Sequence, residues 1–256
     1  MTGLLAADLL MLLRLNKRGI ITTKGRYRTG LICSLIADLI NLNRINLKER
    51  DDGLIFIKAA KGEMIGTKIL DEIYLTIRDC PKEYTINDWV DRFVESFDVY
   101  EELMIESLIH REILLPETKK ERLGRLLIAI ILFIPCCFPG SMYYNSIAKP
   151  IHYKVKTPNL KFDNEQQLIN NLKSFEMPNP SLLGLIIVLK TTGLFRLLLN
   201  TDIDDYLTKK FYQLQDHDFL NQDMELLVRF LRDKYNPKFS QPKQEGLLHK
   251  MPISET

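Results

Sequence analysis

The sequence predicts a mainly α-helical protein: a single globular helical domain around buried apolar helices, with one or two β-hairpins, one of them protruding and apolar. Three observations carry this expectation. Residues 4–15 are apolar nearly all round, as a central helix is, and Pro180 opens a second strongly apolar stretch. Through much of the remaining chain, apolar residues recur at three- and four-residue intervals. Strand-like alternation is confined to residues 44–59, and the most apolar run, residues 126–138, is cut by Pro135 and followed by Pro139-Gly140. With 256 residues, 46% of them apolar and 27% charged, the chain has material for a full core, as one large domain or two small ones. The expected division is one domain over residues 1–236 and a loose tail over residues 237–256, which is rich in Pro, Gln, Lys and Gly.

Taken in order, the first helix should end at Asn16-Lys17-Arg18-Gly19, with Gly19 as a left-handed cap. Residues 20–28 read as a short polar and basic connection containing Lys24, Arg26 and Arg28. Thr29 is placed to cap a second helix over residues 30–43, with Leu31, Leu35, Leu39 and Leu42 at helical spacing. Residues 44–49 and 54–59 alternate around Asp51-Asp52-Gly53, which is a hairpin signal because Asp and Gly tolerate the positive φ of a tight turn. Three helices should follow: residues 66–78, with Ile69, Ile73 and Ile77 on one face; residues 88–97, with Trp89, Phe93 and Phe97; and residues 99–111, leading into Ile113-Leu114-Leu115. Beyond the apolar run, residues 164–175 read as helical. The helix from Pro180 should bend at Thr191-Thr192-Gly193 before continuing through residues 197–199. Residues 202–213 and 222–235 are amphipathic helices.

Charge distribution is the most informative feature. Lys119, Lys120, Arg122 and Arg125 precede the apolar run, and Lys149, Lys154, Lys156 and Lys161 follow it. Against these eight cations Glu121 is the only acid, so residues 119–161 carry +7 while the whole chain carries +2. The remainder therefore sums to −5. Nine uninterrupted apolar residues precede Pro135, too few for a helix that crosses a bilayer, which needs about 20. An apolar tip framed by cations suits the face of an anionic membrane, where each basic residue contributes about 1 kcal/mol and inserted apolar area adds to it. Burial of the same run as a core strand or helix is the competing reading. Tyr143, Tyr144 and Tyr153 fit either the interfacial level or the core.

Catalysis finds no support. His110, His152, His217 and His249 are scattered, Ser141 lacks a Gly-x-Ser-x-Gly elbow, and no phosphate-binding or dinucleotide loop occurs. Cys33, Cys80, Cys136 and Cys137 make no metal-ligand spacing, so neither a metal nor a cofactor is expected, and a reducing compartment fits. Nucleic acid is not expected as a partner. Residues 4–59 have the order of a winged helix, but the helix over residues 30–42 has no Lys or Arg to read base edges. The N-terminus lacks a basic n-region and carries Asp8, so it reads as a buried helix and not as a leader.

The order of segments adds a resemblance. Gly30-Leu31, Leu35-Ile36-Ala37-Asp38-Leu39 and Asn43-Arg44-Ile45-Asn46-Leu47, then Gly66 with Ile69-Leu70-Asp71-Glu72, then Asp88-Trp89, Ile113-Leu114 and the late apolar helix over residues 182–199, together resemble the Golgi phosphoprotein 3 family (GPP34 domain) over residues 5–235. That resemblance implies a helical domain with an apolar β-hairpin that dips into membrane, beside a site for phosphatidylinositol 4-phosphate, in adaptor proteins that retain glycosyltransferases. The hairpin would fall on residues 119–161. The family's headgroup positions fall here on Thr23, Ile32, Asp98 and Glu101, none of them a cation and two of them acidic. The resemblance thus implies a peripheral membrane protein on the cytosolic face of a membrane, with anionic phospholipid as partner and protein cargo or a second copy of the chain as further partners. The insertion residues would be Leu126, Leu127, Ile128, Ile130, Ile131, Leu132, Phe133, Ile134 and Phe138. The headgroup cations would be Lys24, Arg26, Arg28, Lys119, Lys120, Arg122 and Arg125. The alternative is an interaction or oligomerisation module that uses residues 126–138 without lipid.

Overall fold

The computed structural model describes residues 4–14, 26–118, 153–155, 169–170, 178–194, 204–216 and 220–235. Among these the protein is mostly helical. Its elements are α1 (Ala6–Arg14), α2 (Arg26–Asn41), β1 (Ile45–Glu49), β2 (Ile55–Ala59), α3 (Lys68–Arg78), α4 (Ile86–Glu95), α5 (Phe97–His110), β3 (Leu114–Pro116), β4 (Tyr153–Val155), α6 (Pro180–Thr192), α7 (Asp204–Asp216) and α8 (Gln222–Tyr235).

The core is organised around α2 and α6. Both are apolar round most of their circumference, and each is packed on several sides: α2 by α1, α4, α6 and α8, and α6 by α1, α2, α7 and α8. Close approach is possible because small residues meet where the three central helices cross. A Cβ added at Gly184 of α6 would stand 3.2 Å from the Ala37 methyl of α2 and 3.3 Å from the Ala6 methyl of α1. Asn41 fastens the same junction by donating to the Pro180 carbonyl at 2.8 Å.

Predicted helix starts shift by two residues at α1, α3, α5 and α7, and at α2 and α4 the shift has an identifiable cause. α2 begins at Arg26, four residues before the expected Gly30, so Arg26 and Arg28 lie on a helix and not in a connection, and Thr29 is inside it. Tyr27 extends the buried Leu31, Leu35 and Leu39 stripe by one turn, whereas Leu42, past the helix end, is exposed. α4 begins at Ile86, not Asp88, because Thr85 is its cap. The Thr85 hydroxyl accepts from the Asp88 amide at 3.2 Å, and the Asp88 carboxylate takes the Thr85 amide at 3.1 Å. The helix stops at Glu95, and Phe97 opens α5, so Trp89, Phe93 and Phe97 share a buried face across two helices. The Trp89 and Phe93 rings stack at 5.4 Å, with Tyr84 and Tyr100 edge-on to them.

A predicted kink is an end. Asn179 caps the start of α6 by accepting from the Leu182 amide at 2.9 Å, with Pro180 at the first helical position. Gly193 terminates the helix at φ 67°, a left-handed conformation that glycine takes without a Cβ penalty. The expected continuation over residues 197–199, the helix over residues 164–175 apart from residues 169–170, Gly19 and the C-terminal tail all lie outside the described residues.

The first hairpin forms as expected. β1 and β2 pair antiparallel from Ile45 opposite Ala59 to Glu49 opposite Ile55, with Gly53 at φ 76° in the turn. Ile45, Leu47, Ile55 and Ile57 point into the core. The Leu47 amide donates to Asp223 of α8 at 2.6 Å, tying the hairpin to the last helix.

Candidate membrane-binding site at the root of the excursion

After α5 the chain reverses through Glu112, at φ 57°, into β3. β3 pairs antiparallel with β4, Leu114 opposite Val155 and Pro116 opposite Tyr153. The chain therefore leaves and re-enters the body at adjacent points, and residues 117–152 are spanned by a closed root. The return strand Tyr153–Val155 lies within the expected excursion over residues 119–161, whose other residues are outside the described ones. Leu114 and Tyr153 are buried, so the root is anchored in the core, and of the three tyrosines weighed as interfacial, Tyr153 is a core residue at the described end of the excursion.

Leu126, Leu127, Ile128, Ile130, Ile131, Leu132, Phe133, Ile134 and Phe138 lie outside the described residues, as do Thr23, Lys24, Lys119, Lys120, Arg122, Arg125, Tyr143 and Tyr144. The remaining candidates do not converge on one pocket. Ile32 is wholly buried and presents nothing to a headgroup. Arg26 sits 5.8 Å from the Tyr235 ring centroid, a cation–π distance. Arg28 and Asp98, 70 residues apart, are brought together at 2.9 Å, and the Arg28 guanidinium also lies 5.0 Å from the Phe97 ring. Arg28 thus has a carboxylate on one side and an aromatic ring on another.

Further along α5, Glu101 and Glu102 flank the root. Burial pushes the Tyr153 hydroxyl above its ordinary pKa, and the charges of Glu101 and Glu102 push it further. Tyr27 is shifted the same way by complete burial, then by Glu101, with Arg14 opposing; its hydroxyl donates to Met11 Sδ at 3.5 Å. The described side of the root is therefore acidic, and the cations that the sequence offers are on the excursion. Leu115 and Val99 are exposed on β3 and α5.

A buried polar cluster escaped sequence reasoning. Leu5 has no side-chain oxygen to cap α1, so acids elsewhere satisfy the first amides. Asp8 accepts from the Leu5 amide at 2.9 Å, while Asp38 of α2 accepts from Ala6 at 2.9 Å and Ala7 at 3.1 Å. Asp8 is paired with Arg111, in the turn between α5 and β3, at 2.6 Å. Burial pushes the Asp38 carboxyl up to about 8, opposed by its two amide donors and reinforced by Asp8. Burial also raises Asp8, with Arg111 and the Leu5 amide pulling it back. The available signal was an acid in each of two otherwise apolar helices.

Among the described residues, no three or more His, Cys, Asp or Glu side chains gather as a metal site, and no helix is long and apolar enough to cross a membrane. Residues 5–127 match the family model of Golgi phosphoprotein 3 (GPP34). Over these residues the chain is similar to the Golgi phosphoprotein 3 family. The GPP34 match runs from α1 through β3 into the first two residues of the apolar run, Leu126 and Leu127, and so includes the outgoing half of the root. The return strand β4 and the helices α6 to α8 fall beyond it, although they share its core. No curated protein matches the chain.

Proposed function

We propose that the protein is a peripheral membrane phospholipid-binding protein of the Golgi phosphoprotein 3 type, acting on the cytosolic face of a membrane as an adaptor and not as an enzyme. Residues 126–138 insert among the acyl chains, and Lys119, Lys120, Arg122 and Arg125 hold anionic headgroups. The observation that supports this most is the closed β3–β4 root, which lies on either side of the one stretch of sequence that is both intensely apolar and framed by cations. With +7 over residues 119–161 against −5 elsewhere, attraction to an anionic surface favours approach with the excursion foremost and the acidic body behind.

Headgroup selection differs from the pocket that the family resemblance implies. Ile32 is in the core, Asp98 is paired with Arg28, and the charge of Glu101 acts on Tyr153 of the root and on Tyr27 of α2. A phosphate does not settle against these carboxylates unless a cation intervenes, so recognition is of anionic surface charge and not of one phosphoinositide.

Liposome co-flotation tests the reading. The intact protein is compared with a variant whose residues 126–138 are replaced by a short Gly-Ser turn, on neutral vesicles, acidic-phospholipid vesicles and vesicles doped with phosphatidylinositol 4-phosphate, at low and high salt. The expected result is flotation of the intact protein alone, on both acidic vesicle types, weakened by salt. Flotation of neither protein, with a change in oligomeric state on replacement, would overturn it in favour of a protein-docking module.

A further inference from the structure

The Asp8–Asp38–Arg111 cluster is more than a helix cap, because it joins three elements and is not balanced in charge. Asp38 comes from α2, Asp8 from the first turn of α1, and Arg111 from the turn that leads into the root. Both carboxyl groups are buried, with Asp8 and Asp38 only 4% and 2% exposed. The charged groups acting on the pair are each other and Arg111. From α6, the nearest neighbours of this junction are Gly184 and the Pro180 carbonyl, already taken by Asn41. Two neighbouring buried carboxylates, only one of them paired with a guanidinium, carry a surplus negative charge, which the partial positive end of α1 offsets only in part.

We propose that this cluster is a proton-coupled latch: the first turn of α1 stays fastened to α2 and to the root of the excursion while the acid pair holds one proton, and opening of that turn releases the proton from Asp38 to solvent. In the closed state Ala6 and Ala7 donate to the Asp38 carboxyl and Leu5 to Asp8. In the open state water replaces these donors, the carboxyl is solvated, and it ionises as an ordinary carboxylate. Opening is therefore favoured as pH rises, and acid holds the turn shut. Because Arg111 is three residues from β3, the latch links the start of the domain to the base of the excursion.

Amide exchange of Leu5, Ala6 and Ala7 in the full chain, corrected for intrinsic rates, reads the latch directly. The opening constant should rise about tenfold per pH unit from about pH 5 to about pH 8 and then level off, as loss of a single proton requires. Leu35 and Ile36, deep in α2, should stay far better protected than Leu5, Ala6 and Ala7 at every pH. Asp38→Asn should open the turn to a fixed extent with no such slope. An unchanged slope in Asp38→Asn, a flat wild-type profile, or protection of Leu5, Ala6 and Ala7 equal to that of Leu35 and Ile36 would each overturn the proposal. If Asp38→Asn does not fold, the carboxyl 13C shift of Asp38 in the wild-type protein decides. Titration well above the ordinary carboxylate range supports the latch, and titration within that range overturns it.

Discussion

The Arg28–Asp98 pair gives a direct test of how the body meets a membrane. Asp98 is 81% exposed and Arg28 37% exposed, so their 2.9 Å contact is solvated and contributes between about 0 and 1 kcal/mol to folding. Asp98→Asn should therefore leave the melting temperature nearly unchanged. Its effect on binding should be larger. The substitution removes one negative charge from the first turn of α5 and releases the Arg28 guanidinium, which Phe97 still supports at 5.0 Å. A single basic group near an anionic surface contributes about 1 kcal/mol, which corresponds to about a fivefold gain in partitioning. The assay is sedimentation with acidic-phospholipid vesicles at low salt, repeated at high salt, where screening should erase most of the gain. Arg28→Glu should move partitioning the opposite way. If both variants partition as the wild type does, while both remain folded, the α2–α5 face does not approach the membrane and the expectation that Arg28 serves as a headgroup cation is wrong.

Four further outcomes follow from the packing and the buried acids. Gly184→Val should cost at least about 2 kcal/mol in urea unfolding, since even a bare Cβ stands 3.2 and 3.3 Å from two methyl groups on different helices. Gly30→Ala should cost far less, because its close neighbour is the movable end of the Leu194 side chain. Thr85→Ala removes the cap of α4 and should destabilise by about 1 kcal/mol, seen as a lower melting temperature. For pH, Asp38 binds its proton more tightly folded, near 8, than unfolded, near 3.8. The folded state thus carries more protons across that window, and the Asp38 contribution to stability should fall as pH rises from about 4 to about 8; urea midpoints at the two ends, compared with Asp38→Asn, check the sign.

Much of the fold was legible because local signals and tertiary needs agree. α8 was read to its end residues from its amphipathic period, and the first hairpin from alternation about Asp51-Asp52-Gly53. The errors have physical causes. Arg26 and Arg28 disguised the first turn of α2 as a polar connection, yet their guanidinium groups lie over the rings of Tyr235 and Phe97 while Tyr27 between them continues the buried stripe. Thr191-Thr192-Gly193 looked like a bend; both hydroxyls return to carbonyls of their own helix, and only the glycine stops it. At the site, the apolar, cation-framed run was visible from composition, but the pairing of Arg28 with Asp98 and of Asp8 with Arg111 joins residues 70 and 103 apart, a relation that no periodicity encodes.

The crossing at Gly184 has a consequence for what counts as a unit in this protein. The family match ends at residue 127, but the core does not. α2 lies within the family match, and one of its principal walls is α6, more than fifty residues beyond it. A polypeptide cut at the family boundary would leave Ala37 and its neighbours on α2 facing solvent where Gly184 now sits. The matched segment is one part of an interior, and the later helices are held to its shape.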